Sequence, residues 1–167
     1  MFYDGNKSYF PLVCIGQNVP TGDGNTIPCL CVSPSGRIAI VESDPSSTGE
    51  APAHFLDRLS AYSAALRKWN YTALDSIAAQ FFYAKSGQAG RVVDKMARCG
   101  YLTFSDNLMF SFKMNKGLQE APHLVIVSTE KSNIAECKTK FKQGAYQESE
   151  ILFAVMDSAA ASIFIET

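Results

Sequence analysis

The chain has 167 residues, of which 47% are hydrophobic and 19% charged, and a formal net charge of −1; this suits one compact domain or two small ones sharing a core. No run approaches the ~18 uninterrupted apolar residues of a membrane span. The first ten residues, MFYDGNKSYF, lack the basic and long apolar stretches of a secretory leader, and five irregularly spaced cysteines make no disulfide framework, so a cytoplasmic protein with reduced thiols is expected.

Residues 1–45 read as β-structure. Phe10 to Ile15 is a strand candidate, and Gln17 to Asn25 is a loop rich in Gly, Pro and Asn. Ile27 to Val32 and Arg37 to Glu42 flank Ser33-Pro34-Ser35-Gly36, which marks a hairpin, with Pro28 suited to a strand start or a sheet edge. Ser43 to Pro52 is a polar linker. Ala53 to Trp69 places Phe55, Leu59, Tyr62 and Leu66 on one face of a long helix. A second helix, capped at Thr72, carries Leu74, Ile77, Ala78 and Phe81, and Ser86-Gly87 breaks it. The spacing predicts a third helix from Gln88, with Ala89, Val93 and Met96 inward and Gly100 as its stop. Tyr101 to Phe104 and Leu108 to Phe112 are β-prone runs joined across Ser105-Asp106-Asn107, a hairpin signal. Asn115 to Pro122 reads as a linker. Leu124 to Val127 suits a strand buried on both faces, Ser132 to Phe141 a helix ended by Gly144, Ile151 to Met156 a second buried strand, and Ser162 to Ile165 a last short one.

The segment IAAQFFYAKSGQAGRVVDKMARCGYL, followed by its short hairpin, resembles the winged helix-turn-helix superfamily. Ala89, Val93, Met96, Gly100 and Leu102 sit where that family has a small residue opening the recognition helix, aliphatic residues after it, and a glycine and hydrophobic residue leading into the wing. The resemblance implies a winged-helix unit of three helices and a hairpin wing, residues 53–114, and the front hairpin with the β-α-β order of the tail suggests an α+β fold in which that unit is inserted between two β-segments. Those segments, 1–45 and the β-α-β tail 118–167, are expected to share one sheet. The resemblance also implies double-stranded DNA as partner, and a regulator or mobile-element accessory factor as the kind of protein. Gln88 and Arg91 would then reach base edges, while Lys85, Lys95, Arg98 and Lys113 would contact phosphates.

Charge is distributed in keeping with that reading. From Phe82 to Lys116 there are six basic residues against Asp94 and Asp106, whereas residues 1–50 carry two basic residues against five acidic ones. A solvated amphipathic helix produces the same local excess. The competing class is therefore a non-enzymatic docking module that uses the same winged-helix face, with a protein partner or a second copy of the chain. Gly87-Gln88-Ala89-Gly90 also resembles the clamp loop of KH domains, but such a domain needs a strand before its first helix, and here a long helix stands there.

Catalytic and metal signals are thin. Cys29 and Cys31 are two apart on an expected strand, with Cys14 nearby, yet the spacing is not that of a zinc knuckle and no second pair follows. Buried cysteines serving as small hydrophobes are the expectation. His54 and His123 are the only histidines, and a Cys137–His123 nucleophile pair has no local motif behind it. Neither a Walker-type loop nor a dinucleotide fingerprint occurs, so neither an enzyme nor a cofactor is expected.

Overall fold

A computed structural model describes residues 2–4, 7–8, 12–45, 49–50, 52–128, 151–157 and 162–166. Its elements run β1 (Phe2–Asp4), β2 (Lys7–Ser8), β3 (Val13–Pro20), β4 (Thr26–Val32), β5 (Ile38–Ser43), α1 (Pro52–Leu66), α2 (Tyr71–Ser86), α3 (Val92–Arg98), α4 (Phe104–Gln119), β6 (His123–Ser128), β7 (Ile151–Asp157) and β8 (Ser162–Glu166). The class is α+β. One mixed sheet has the order β2-β1-β8-β7-β6-β5-β4-β3.

The front of the chain is an antiparallel meander. Ser33 N–H and Arg37 carbonyl close the turn between β4 and β5 at 3.0 Å, and Gly36 supplies its left-handed residue with φ 84°. β3 runs to Pro20, into the first part of the stretch Gln17 to Asn25 that reads as a loop. Its polar residues Gln17 and Asn18 are exposed, yet Gln17 and Val19 on either side of the left-handed Asn18 pair with β4, so composition there reported exposure rather than loop. β5 and β6 then pair in parallel from Ala39↔His123 to Ser43↔Val127, and β6 pairs with β7 in parallel. The four described helices lie in the connection between β5 and β6.

Cross-strand partners share a face of a sheet. Leu30↔Ile40, Val32↔Ile38 and Ile40↔Leu124 therefore build the face that meets the helices. Against it α1 buries Phe55, Leu59, Tyr62 and Leu66, and the Tyr62 hydroxyl donates to the Thr26 carbonyl at 2.9 Å. α2 begins at Tyr71 and is capped by Asn70, whose side chain accepts from Ala73 N–H at 3.0 Å; Thr72 lies inside the helix. The opposite face carries Val41, Val125, Val127 and Ala154.

The winged-helix arrangement is corrected in two places. The third helix starts at Val92 and has seven residues, so Gln88 and Ala89 precede it and Ala89 is exposed. Its inner positions are Val92 and Met96, one turn apart, with Val93 packed at the margin. The expected wing is absent, because Phe104–Gln119 is a helix. Thr103 and Asp106 form a capping box in which each side chain accepts from the other's backbone N–H, at 3.2 and 3.1 Å. Ser105-Asp106-Asn107 is accordingly a helical first turn rather than a hairpin tip. Phe110, Met114 and Leu118, each four residues apart, form the buried stripe of α4, which absorbs most of the expected linker 115–122. The helix expected at Ser132 to Phe141, with its Gly144 stop, lies outside the described residues.

Gly117 sits inside α4 for a packing reason. A Cβ there would stand 2.0 Å from the Gly36 carbonyl oxygen, and one on Gly36 would stand 2.6 Å from the backbone of Lys113. Two glycines let the β4–β5 turn touch α4 backbone to backbone.

Candidate functional site

The left-handed Gly87 (φ 70°) ends α2, its N–H bonding back to the Tyr83 carbonyl at 2.8 Å, and the chain turns through Gln88 to Arg91 before α3. That turn is clamped from below. The Asp75 carboxylate on α2 accepts from Val92 N–H at 2.8 Å and from Arg91 Nε at 3.0 Å. One acid thereby caps the otherwise uncapped start of α3 and fixes its angle to α2.

This geometry opens a cleft of about 200 Å³ between the end of α2, the turn and α3. Lys85, Gln88, Lys95 and Arg98 line it, together with Phe81, Phe82 and Cys14, and among the described residues no acid lines it. Lys85 Nζ lies 5.8 Å from the Phe81 ring centroid and Lys95 Nζ 5.9 Å from that of Phe82. Among the described residues none of Lys85, Lys95 and Arg98 is in an ion pair. The volume is small for a whole drug-sized ligand, whose pockets run to about 300–1,000 Å³. It suits a single anionic group, such as one phosphate.

Of the six cations and amides singled out in the sequence, four converge here: Lys85, Gln88, Lys95 and Arg98. Arg91 is braced against Asp75 with its side chain 62% exposed. Lys113 belongs to α4 and is paired with Asp106 at 3.0 Å. It lines a different and larger cleft of about 560 Å³ with Arg37, Met109, Phe112 and Lys116, where Met109 is 51% and Phe112 64% exposed. The local charge excess in the sequence is thus divided between two surfaces.

The three thiols beside the first cleft, expected from the sequence to serve as small hydrophobes, come together in space. Cys14 Sγ lies 3.6 Å from Cys29 Sγ, which lies 3.7 Å from Cys31 Sγ. These form the one group of His, Cys, Asp or Glu side chains among the described residues whose ligand atoms all fall within 4.8 Å of one another. Hydrogen bonds from Cys29 and Cys31 lower the Cys14 thiol from its ordinary range, against burial and with help from the Lys85 charge. Sharing that first thiolate raises both Cys29 and Cys31. The signal in the sequence was the pair two apart on a strand. Cys14, noted in the sequence only as nearby, lies directly opposite Cys31 in the β3–β4 ladder, just before a bulge.

His54 is exposed, and His123 is half-buried at the start of β6, accepting from Arg37 Nε at 3.2 Å, while Arg37 also bonds Glu120 at 2.5 Å. No helix among the described residues is long and apolar enough to cross a membrane. Compared with protein-family models, curated proteins and solved structures, the chain has no match.

Proposed function

We propose that this protein binds nucleic acid, with double-stranded DNA as the first candidate, through the face formed by the end of α2, the turn and α3. The carrying observation is the convergence of Lys85, Lys95 and Arg98 on one cleft with no acidic residue among its described lining. An assembly of this kind is costly to a protein without an anion to meet, because like charges repel at close range. Lys85, Lys95 and Arg98 make phosphate contacts, and the Gln88 amide at the mouth is placed for a base edge or a further phosphate. Arg91 is pre-positioned by Asp75, so less side-chain entropy is lost when it meets the backbone. The absence of a wing and the shortness of α3 make phosphate contact, rather than deep groove reading, the principal source of affinity.

Three phosphate contacts give a slope of log K against log salt of about −2.7, so raising salt from about 50 to about 200 mM should weaken binding about 40-fold. Fluorescence anisotropy on a mixed-sequence duplex tests this directly. Affinity that is independent of salt, or no binding at the lower salt, removes the reading.

A protein-docking module is the second reading, favoured by the exposure of Met109 and Phe112 on α4. The double change Met109→Ser, Phe112→Ser separates the two. It leaves the cationic cleft untouched, so under the first reading duplex affinity stays at the parent value.

A further inference from the structure

Cys29 and Cys31 share a face of β4, aligned with Val41 and Ala39 of β5, on the side away from the main helical core. Cys14 enters from the outer strand β3, and the bulge after it lets its Sγ reach diagonally to Cys29. Cys31 is buried, while Cys14 and Cys29 are only partly so. Two of the three are therefore reachable by an ion from solvent.

Ligands held about 2.3 Å from one tetrahedral zinc ion stand about 3.8 Å from each other. The observed separations of 3.6 and 3.7 Å are already at that spacing, with no backbone rearrangement needed. We propose that Cys14, Cys29 and Cys31 form a three-thiolate site for one thiophilic divalent ion, zinc foremost, with the fourth position taken by a ligand from outside the protein. Thiolate sulfur selects against magnesium, calcium and other hard ions. Charge selects the divalent state: three thiolates and a zinc ion leave one net negative charge, which Lys85, lining the same cleft as Cys14, is placed to offset. A monovalent ion would leave two. Binding converts three thiols and one zinc ion into a zinc tris-thiolate and three released protons, with no change of oxidation state. The inference does not need the nucleic-acid reading, since its three ligands stand on β3 and β4, although Cys14 also lines the basic cleft.

The test uses the full chain, reduced, stripped with a chelator and kept anaerobic. It is titrated with cobalt(II) as a coloured stand-in, then with zinc. A thiolate-to-cobalt charge-transfer band saturating at one ion per chain is expected, discharged by one equivalent of zinc. Zinc should also protect three of the five cysteines from a thiol reagent. Cys14→Ser and Cys29→Ser should each weaken binding by about tenfold or more. The double variant Cys99→Ser, Cys137→Ser should bind as the parent does. No saturable band in the reduced parent overturns the site. So does a band that survives in Cys14→Ser, Cys29→Ser, or one that is lost in the Cys99→Ser, Cys137→Ser variant.

Discussion

His123 shows how one residue sets a pH dependence. Burial first, and then the Arg37 charge beside it, push its imidazole below the ordinary value, and the Arg37 Nε–H donates to an Nε2 that must stay unprotonated to accept it. A folded-state pKa below the unfolded one, about 6.5, means that the unfolded chain binds the extra proton. The stability from this pair is therefore present above that value and is lost as pH falls through the folded pKa. Asp106 titrates elsewhere, because hydrogen bonds from Thr103 and then Lys113 hold it down to about 2. Its contribution is present above the usual carboxylate range and is lost only as pH falls through that lower value. Urea midpoints should thus drop from about pH 7 to about pH 5, and His123→Gln should flatten that part of the curve while leaving the acid limb unchanged. An equally steep drop in the variant would assign the effect to other groups.

At the scale of the element, α4 decides how much of the fold could be read in advance. Tyr101 to Phe112 is rich in aromatic residues, which favour strands on propensity, and Ser105-Asp106-Asn107 has the composition of a turn. The competing signals were Thr103 three residues before Asp106 and an apolar residue every fourth position from Phe110 to Leu118. Tertiary burial of that stripe overrode propensity. The β4–β5 hairpin was legible because its turn residues have one conformational use. So was the inward face of α1, whose apolar spacing has no strand equivalent. That Cys14 would close on Cys29 and Cys31 was not legible, since the β3–β4 register that sets it opposite Cys31, just before a bulge, leaves no compositional mark.

Two substitutions probe α4. Thr103→Ala removes the cap and should cost about 1 kcal/mol in denaturant unfolding. Gly117→Ala sets two effects against each other. Helix propensity alone would favour Ala by about 1 kcal/mol. The new Cβ, however, meets the Gly36 carbonyl oxygen at 2.0 Å, a backbone atom with nowhere to go. Overpacking of this kind costs about 1–3 kcal/mol, so net destabilisation is expected. A variant more stable than the parent would show that the turn and α4 do not touch there.

For the whole molecule, the parallel ladder from Ala39↔His123 to Ser43↔Val127 joins the front of the chain to its tail. Deleting 118–167 removes β6, β7 and β8 and leaves β5 with a bare apolar edge, so fragment 1–117 should be insoluble or lack cooperative unfolding. A soluble, cooperatively melting fragment would mean that the front sheet and helices stand without the tail. On this scaffold the central claim is that the cleft between α2 and α3 holds phosphate. Lys85, Lys95 and Arg98 are exposed and outside the core, so changing all three to Ala should leave the thermal melt unchanged. Duplex binding by parent and triple variant, measured across a salt series, is the most direct test. The account predicts a weaker variant whose slope of log K against log salt is shallower by about 2.7. The same affinity and the same slope in both proteins would contradict it.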